Sequence, residues 1–256
     1  MRALYTAASG MAANQVKIEN IANNIANNGT TGFKKVRENF EDLVYQQLGS
    51  RSASGDAMQV GSGTRLAGLS RDFKAGDVLQ SSSQTDMMLT GPGFFVVEAP
   101  SGETYYTRDG NFRTDLEGNL TTQLGYRVAP GVQVPAGGTL VVTADGSLSA
   151  NVVGSDGSVT SVSLGSLEVA TFQNPEALEA NGGNLFRATD AAGEATRTTP
   201  GQDGAGQVQQ YALEGSNVDV AEELISMITA QRGYELSSKV IQAADEMLQT
   251  AAGLRR

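Results

Sequence analysis

The sequence predicts an α+β protein: long N- and C-terminal helices paired in a coiled-coil-like domain, an extended connector, and a central, predominantly antiparallel β-domain. Three observations carry this prediction. Near each terminus apolar residues recur at alternating steps of four and three, the 3.5-residue spacing of an a/d seam. Between the ends the pattern changes to short β-rich runs separated by dipeptides such as Asp109-Gly110, Glu117-Gly118, Asp145-Gly146 and Asp156-Gly157, and Asp-Gly favours the turns that close hairpins. Gly is also abundant, 31 in 256 residues, against a usual share of roughly 7%, so much of the chain must turn.

The first helix is expected over residues 3–27, with Leu4, Ala8, Met11, Gln15, Ile18, Ala22 and Ile25 on its seam. Leu4, Met11, Ile18, Ile21 and Ile25 are its candidate assembly residues. The helix should stop at Asn27-Asn28-Gly29, because Asn and Gly tolerate the left-handed conformation that ends helices. With it, residues 1–29 and 217–256 make the helical domain. Residues 30–65 form the connector, whose Ser- and Gly-rich part, 49–63, has only Met58 and Val60 as bulky apolar residues. Such a composition predicts an extended or mobile segment.

The β-domain is assigned to 66–216, with strands expected at 93–98, 104–108, 111–114, 119–121, 125–128, 139–143, 158–164 and 167–172. The Gly-, Ala- and Thr-rich stretch 181–206 reads mostly as loop. The second helix should run from about 218 to 254, its seam stepping through Val220, Leu224, Met227, Gln231, Tyr234, Ser238, Ile241, Asp245, Leu248 and Ala252. Leu224, Ile228, Tyr234, Ile241 and Leu248 are the candidate assembly residues here. Ser216 with Asp219, or Asp219 with Glu222, supplies a capping-box start, and Glu222 and Glu223 sit where the helix dipole favours anions. Arg255 and Arg256 occupy the cationic end. At ~1.5 Å per residue the second helix is about 55 Å long and the first about 37 Å, so apolar positions on the longer one lack a partner from the same chain. The excess favours packing between molecules.

Composition removes whole classes of chemistry. The chain has no Cys, His or Trp, which excludes disulfides, thiolate zinc sites, Cys nucleophiles and every His-based acid/base scheme. Its net charge of -10 repels a phosphate backbone, so nucleic acid is not expected as a partner. No apolar run is long enough to insert in a membrane, and Thr6, Ser9 and Gly10 interrupt what a cleaved signal peptide would need. Carboxylates such as Asp109, Asp115 and Glu117 are the remaining catalytic candidates, yet they sit beside Gly in turns, where hydrogen bonding to local backbone is the stronger reading. Asp109-Gly110-Asn111 opens like a calcium loop, but Thr114 replaces the required Gly and Leu120 the required Glu. Gly61-Ser62-Gly63 lacks the third Gly of a dinucleotide site. No cofactor, metal site or enzyme activity is expected.

Two terminal signatures then stand out. Ile21-Ala22-Asn23-Asn24-Ile25-Ala26-Asn27, followed by Thr30-Thr31-Gly32-Phe33-Lys34, closely resembles the N-terminal signature of bacterial flagellar rod and hook proteins. Glu214-Gly215-Ser216-Asn217-Val218-Asp219, Gln231-Arg232-Gly233-Tyr234-Glu235 and Ala244-Asp245-Glu246-Met247-Leu248 resemble the C-terminal one. Thr107-Arg108-Asp109-Gly110-Asn111-Phe112 with Gly118-Asn119-Leu120 is similar to the family's central β-domain. The stretch from Phe40 through Tyr45, Gln46 and Leu48 to Gln59, Val60, Gly61, Gly63 and Thr64 resembles a segment of members that build the distal rod. Ala22 stands where Ser is common and Gly233 where Ala is usual; mid-helix Gly costs about 1 kcal/mol, which predicts a soft spot or unusually close packing.

The resemblance implies a structural subunit that polymerises with itself into a rigid hollow rod, transmits torque from motor to hook and lets exported subunits pass. It implies proximal rod proteins and the hook as end partners, and peptidoglycan and outer-membrane ring proteins as a bushing. It also implies export through the flagellar type III apparatus, without a cleaved signal, into the periplasmic rod. The alternatives are the larger proximal rod protein or a hook-type member; outside the family, they are a secreted adhesin or a peptidoglycan-lytic rod-associated enzyme.

Overall fold

Two long helices bracket the chain, α1 (Arg2–Ala26) and α2 (Val220–Gly253), in a computed structural model that describes residues 2–47, 59–153 and 158–253. Leu48, residues 49–58 with Met58, the Asp156-Gly157 turn, and Leu254, Arg255 and Arg256 lie outside the described residues. The chain divides into two compact units, one of Met1–Ala26, Val36–Arg71 and Val218–Arg256, the other of Asn27–Lys35 and Asp72–Asn217.

In the helical unit α1 ends on a turn in which Thr30 N–H donates to the Asn27 carbonyl (3.1 Å) and Thr30 Oγ1 to Asn27 Oδ1 (3.2 Å). The helix stops just before Asn27-Asn28-Gly29, as expected, although none of these three is left-handed and the first residue beyond it with positive φ is Gly32, at 68°. Of the two possible starts of α2 the structure uses Asp219: its Oδ1 accepts from Ala221 N–H (2.8 Å) and Glu222 N–H (3.2 Å), two donors that a helix N-terminus leaves unpaired.

The two helices pack antiparallel. Gly10 lies against Ser237, Asn14 against Gly233, and Asn24 Nδ2 reaches Glu223 Oε2 at 3.5 Å. Every step forward along α1 is thus matched by an equal step back along α2. The residues on this face are Ala7, Gly10, Asn14, Ile21 and Asn24 on α1, and Glu223, Ala230, Gly233, Ser237 and Ala244 on α2. Each helix therefore turns to the other a face one residue, or ~100°, away from the bulky seam that its apolar spacing marks. Among the described residues of the two helices, Ile21 is the large apolar side chain most withdrawn from water.

Residues 36–71 form a ribbon: Val36–Asp42 pairs antiparallel with Thr64–Arg71, and farther out Gln46–Gln47 pairs with Gln59–Val60. Asn24 fastens its base to α1, its amide accepting from Val36 N–H (3.0 Å) and donating to Val36 C=O (2.9 Å), the two bonds a neighbouring strand would make. Asn20, one turn earlier, donates to the same carbonyl at 2.8 Å and to Glu38 Oε1 at 2.6 Å.

The second unit is mostly β, and every strand pair among its described residues is antiparallel. Its largest sheet runs, edge to edge, Glu179–Gly182, Leu185–Arg187, Thr104–Thr107, Phe94–Glu98, Arg127–Val128, Leu120–Thr122 and Phe112–Thr114, with Val169–Thr171 also paired to Phe94–Glu98 and Thr196–Thr198 paired to Val169–Thr171. Thr139–Val142, Ser147–Val153 and Val159–Ser166 make a three-stranded sheet, and Met87–Thr90 pairs with Gln207–Gln210. Strand Phe94–Glu98 is buried on both faces: Phe95 and Val97 point into one core with Leu89, Phe112, Leu120 and Leu148, while Phe94 and Val96 point into another with Tyr106 and Phe186. A strand covered on both sides reads as a continuous apolar run, which Gly93-Phe94-Phe95-Val96-Val97 is. The stretch 181–206 is mostly loop, as expected, broken by the end of Glu179–Gly182 and by the short strands Leu185–Arg187 and Thr196–Thr198. Gly182, Gly183 and Asn184 all have positive φ there and turn a tight hairpin between Glu179–Gly182 and Leu185–Arg187.

Candidate assembly interface and signature clamp

The N-terminal, central and C-terminal signatures converge within the β unit. Gly32 N–H donates to the Glu214 carbonyl at 2.8 Å, and its φ of 68° brings it so close to the chain that an added Cβ would stand 2.5 Å from Asp109 N. No other residue fits there. Two positions on, Lys34 Nζ donates to Glu214 Oε1 at 2.5 Å and to the Lys74 carbonyl at 2.6 Å. Both side chains of this ion pair are 0% exposed. Glu214 also accepts from Gly76 N–H (3.1 Å) and, through Oε2, from Arg108 Nη1 (3.4 Å).

Arg108 is itself buried and donates to the carbonyls of Leu89 (3.3 Å) and Gly91 (2.7 Å). Burial pushes both cations below their ordinary values; for Lys34 the adjacent Glu214 carboxylate opposes that fall. Next to Arg108, burial raises the Asp109 carboxyl, against hydrogen bonds from Asn111 N–H (3.1 Å) and Thr31 Oγ1 (2.8 Å). Asn184 Nδ2 donates to the Thr31 carbonyl at 2.8 Å.

Asn217 finishes the arrangement. Its Oδ1 accepts from Lys35 N–H (2.7 Å), and its Nδ2 donates to the carbonyls of Asp72 (2.7 Å) and Lys74 (3.2 Å). Asp72 N–H donates in turn to the Lys35 carbonyl at 2.9 Å. Lys35, Asp72 and Asn217 are three of the residues at which the chain passes from one unit to the other.

The remaining signature residues divide by exposure. Phe33 and Val218 are buried, Ser216 and Asn27 are half-buried, and Asn23, Gln231 and Arg232 are exposed. Of the seam candidates, Leu4, Met11, Ile18, Ile25 and Ile241 are half-buried; Leu224, Ile228, Tyr234 and Leu248 are exposed, with Ile225, Leu236, Val240 and Met247 around them. Large apolar side chains left exposed in such number on one helix point to an interaction surface. In the ribbon Tyr45 is exposed and stacks beside Gly61, Gln46 and Gln59 lie on its paired outer rungs, and Gly63, with φ 113°, lets the backbone touch Ser9 of α1. Asn20, Asp72 and Lys74 were not singled out by sequence; Asn20 could have been, standing one helical turn before Asn24 in the same signature helix.

The turn carboxylates are engaged locally. Asp115 Oδ1 accepts from Glu117 N–H and Asn119 N–H, Oδ2 from Asn119 Nδ2, and these bonds, the last foremost, hold its carboxyl below the usual range. Among the described residues no cluster of three or more acidic side chains could hold a metal ion, and no helix is long and apolar enough to cross a membrane.

Comparison with known proteins agrees with this geometry. Residues 4–34 match the family described as Flagella basal body rod protein, 88–161 the Flagellar hook protein FlgE/F/G D1 domain, and 209–254 the Flagellar basal body rod FlgEFG protein C-terminal family. The chain is 41% identical to flagellar basal-body rod protein FlgG of Borreliella burgdorferi, over 100% of this chain and 99% of that one. It is 43% identical to FlgG of Caulobacter vibrioides over 100% of both, and 33% identical to FlgF of the same organism over 97% of this chain and 96% of that one. The identity is thus higher to FlgG than to FlgF within one organism, over nearly equal lengths, and the chain belongs to the flagellar basal-body rod protein family.

Proposed function

We propose that this chain is a structural subunit of the bacterial flagellar distal rod, polymerising helically into a rigid hollow shaft that carries torque from motor to hook and lets exported subunits through. The observation that carries the reading is the pairing of a full-length match to FlgG with a C-terminal helix that leaves Leu224, Ile228, Tyr234 and Leu248 exposed. Leu224, Ile228, Tyr234 and Leu248 of one copy would meet Leu4, Met11, Ile18 and Ile25 of others, a coiled-coil-like packing between molecules. A heterologous contact that does not close generates a helix of subunits. The ribbon, with Tyr45, Gln46, Gln59, Gly61 and Gly63, would wedge between neighbours, and the β unit would lie outside. End partners are proximal rod proteins and the hook; the rings serve as bushing; delivery is by the type III apparatus into the periplasm. The role is mechanical and asks for no catalytic step.

Deletion of the gene, followed by electron microscopy of purified basal bodies, tests this. The expected result is a rod that stops short and bears no hook. A complete rod and hook would overturn it.

A further inference from the structure

The β unit has an open cavity of about 320 Å³ beside the signature clamp, lined in part by Phe73, Ala75, Pro92, Phe94, Arg108 and Phe172. Its walls are set by edge-to-face ring contacts, Phe73 to Phe94 at 5.2 Å and Phe94 to Phe172 at 5.7 Å between centroids. Arg108 lies 5.5 Å from the Phe94 ring centre, and its buried Nε has no hydrogen-bond partner among the described residues. An unpaired donor away from water is costly and asks for an acceptor. Charge points the same way. Two buried cations, Lys34 and Arg108, share the one carboxylate of Glu214, and the neighbouring Lys74–Asp72 pair is neutral as a whole. The cavity therefore suits an apolar group that brings negative charge with it.

The same unit displays such a group. Leu116 is wholly exposed at the tip of the turn between Phe112–Thr114 and Leu120–Thr122, between the carboxylates of Asp115 and Glu117. The turn is braced: Asp115 takes three hydrogen bonds from within it, and Gly118 N–H donates to the Asp115 carbonyl at 3.1 Å. Knob and cavity stand apart on the sheet, since the turn follows the edge strand while the cavity opens where Phe94–Glu98 begins, three strands in. We propose that the acid-flanked Leu116 of one copy enters the Arg108 cavity of the next, a head-to-tail contact between β units. This rests on the polymer proposed above, and matches it in kind, because a patch and a separate complementary pocket make an open-ended contact.

The absence of Cys from the sequence makes the test clean. Full-length Ala75→Cys and Leu116→Cys chains, both changed at exposed positions, are polymerised together, treated with diamide and run on non-reducing gels, with filaments scored by electron microscopy. The expected product is a disulfide dimer holding one chain of each variant, and a ladder when one chain carries both substitutions. Filaments without the mixed dimer, or Ala75→Cys joined only to itself, would overturn the knob and leave the polymer standing. Neither filaments nor dimers would overturn both. As a second variant, Leu116→Ser should unfold at the same urea concentration as the parent yet need at least fivefold more protein to polymerise; an unchanged threshold counts against the contact.

Discussion

The β unit and the helical unit bury their side chains on opposite plans. In the first, Met87, Leu89, Phe95, Leu120, Leu140, Leu148 and Leu167 are fully withdrawn from water, two cores sharing one central strand. In the second, the helices touch at Gly10, Asn14, Asn24, Glu223, Gly233 and Ser237, while Ile225, Ile228, Leu236 and Met247 are exposed. Hydrophobic burial is the main favourable contribution to folding, at roughly 25 cal/mol per Å². The β unit has most of its share within one chain. The helical unit has a close helix contact and leaves large apolar side chains of α2 exposed in the single chain, which fits the assembly proposed above.

That contrast is breakable at three places. The largest effect is expected at Glu214, where replacement by Gln leaves Lys34 and Arg108 buried without their carboxylate. Breaking a buried pair costs about 3–5 kcal/mol, so Glu214→Gln should lower the urea midpoint of the β unit markedly, and more than Lys34→Met, which leaves Glu214 its second cation. An unchanged midpoint would show that the clamp is not what holds the signatures together. On the exposed apolar surface of α2, Ile228→Ser should leave monomer stability within about 0.5 kcal/mol but suppress polymerisation in sedimentation assays; equal loss of both would mean that this surface is already covered in the single chain. Smallest is the helix contact itself. A Cβ at Gly233 would stand 3.0 Å from the Asn14 amide, while Ala gains about 1 kcal/mol of helix propensity. Gly233→Ala should therefore be close to neutral in thermal melts, and Gly233→Ala with Asn14→Ala clearly stabilising. If the double change adds nothing, the close approach is not restraining the helix.

The helices were legible because their start and length depend on local residues: Asp219 as cap and sustained 3.5-residue spacing on both. Strands such as Phe94–Glu98, Thr104–Thr107 and Thr139–Val142 were legible for a similar reason, apolar runs bounded by turn residues. What escaped was contact made by small or polar side chains. Hydrophobic period marks bulky residues, so it gave no sign of the Gly10–Ser237 and Asn14–Gly233 contacts, made by small and polar side chains. Ser147–Val153 carried a readable period-two alternation in Leu148, Ala150 and Val152, while Glu179–Gly182 is too polar to announce itself as a strand, although Gly182-Gly183-Asn184 was a readable hairpin signal. The Lys34–Glu214 pair joins residues 180 apart, and no spacing rule reaches that far. The resemblance singled out Lys34 without indicating that its carboxylate would be Glu214.

The Asn217 amide touches the backbone of Lys35, Asp72 and Lys74, and Asn217 is itself a crossing residue. Three strands that leave the β unit are in this way laced through one side chain. A pull arriving along any one of them spreads to the other two before it reaches the sheet, so the hydrogen bonds at the crossings yield together and not one by one. A tie among three strands has no preferred sense of twist, so it resists a pull of either hand alike.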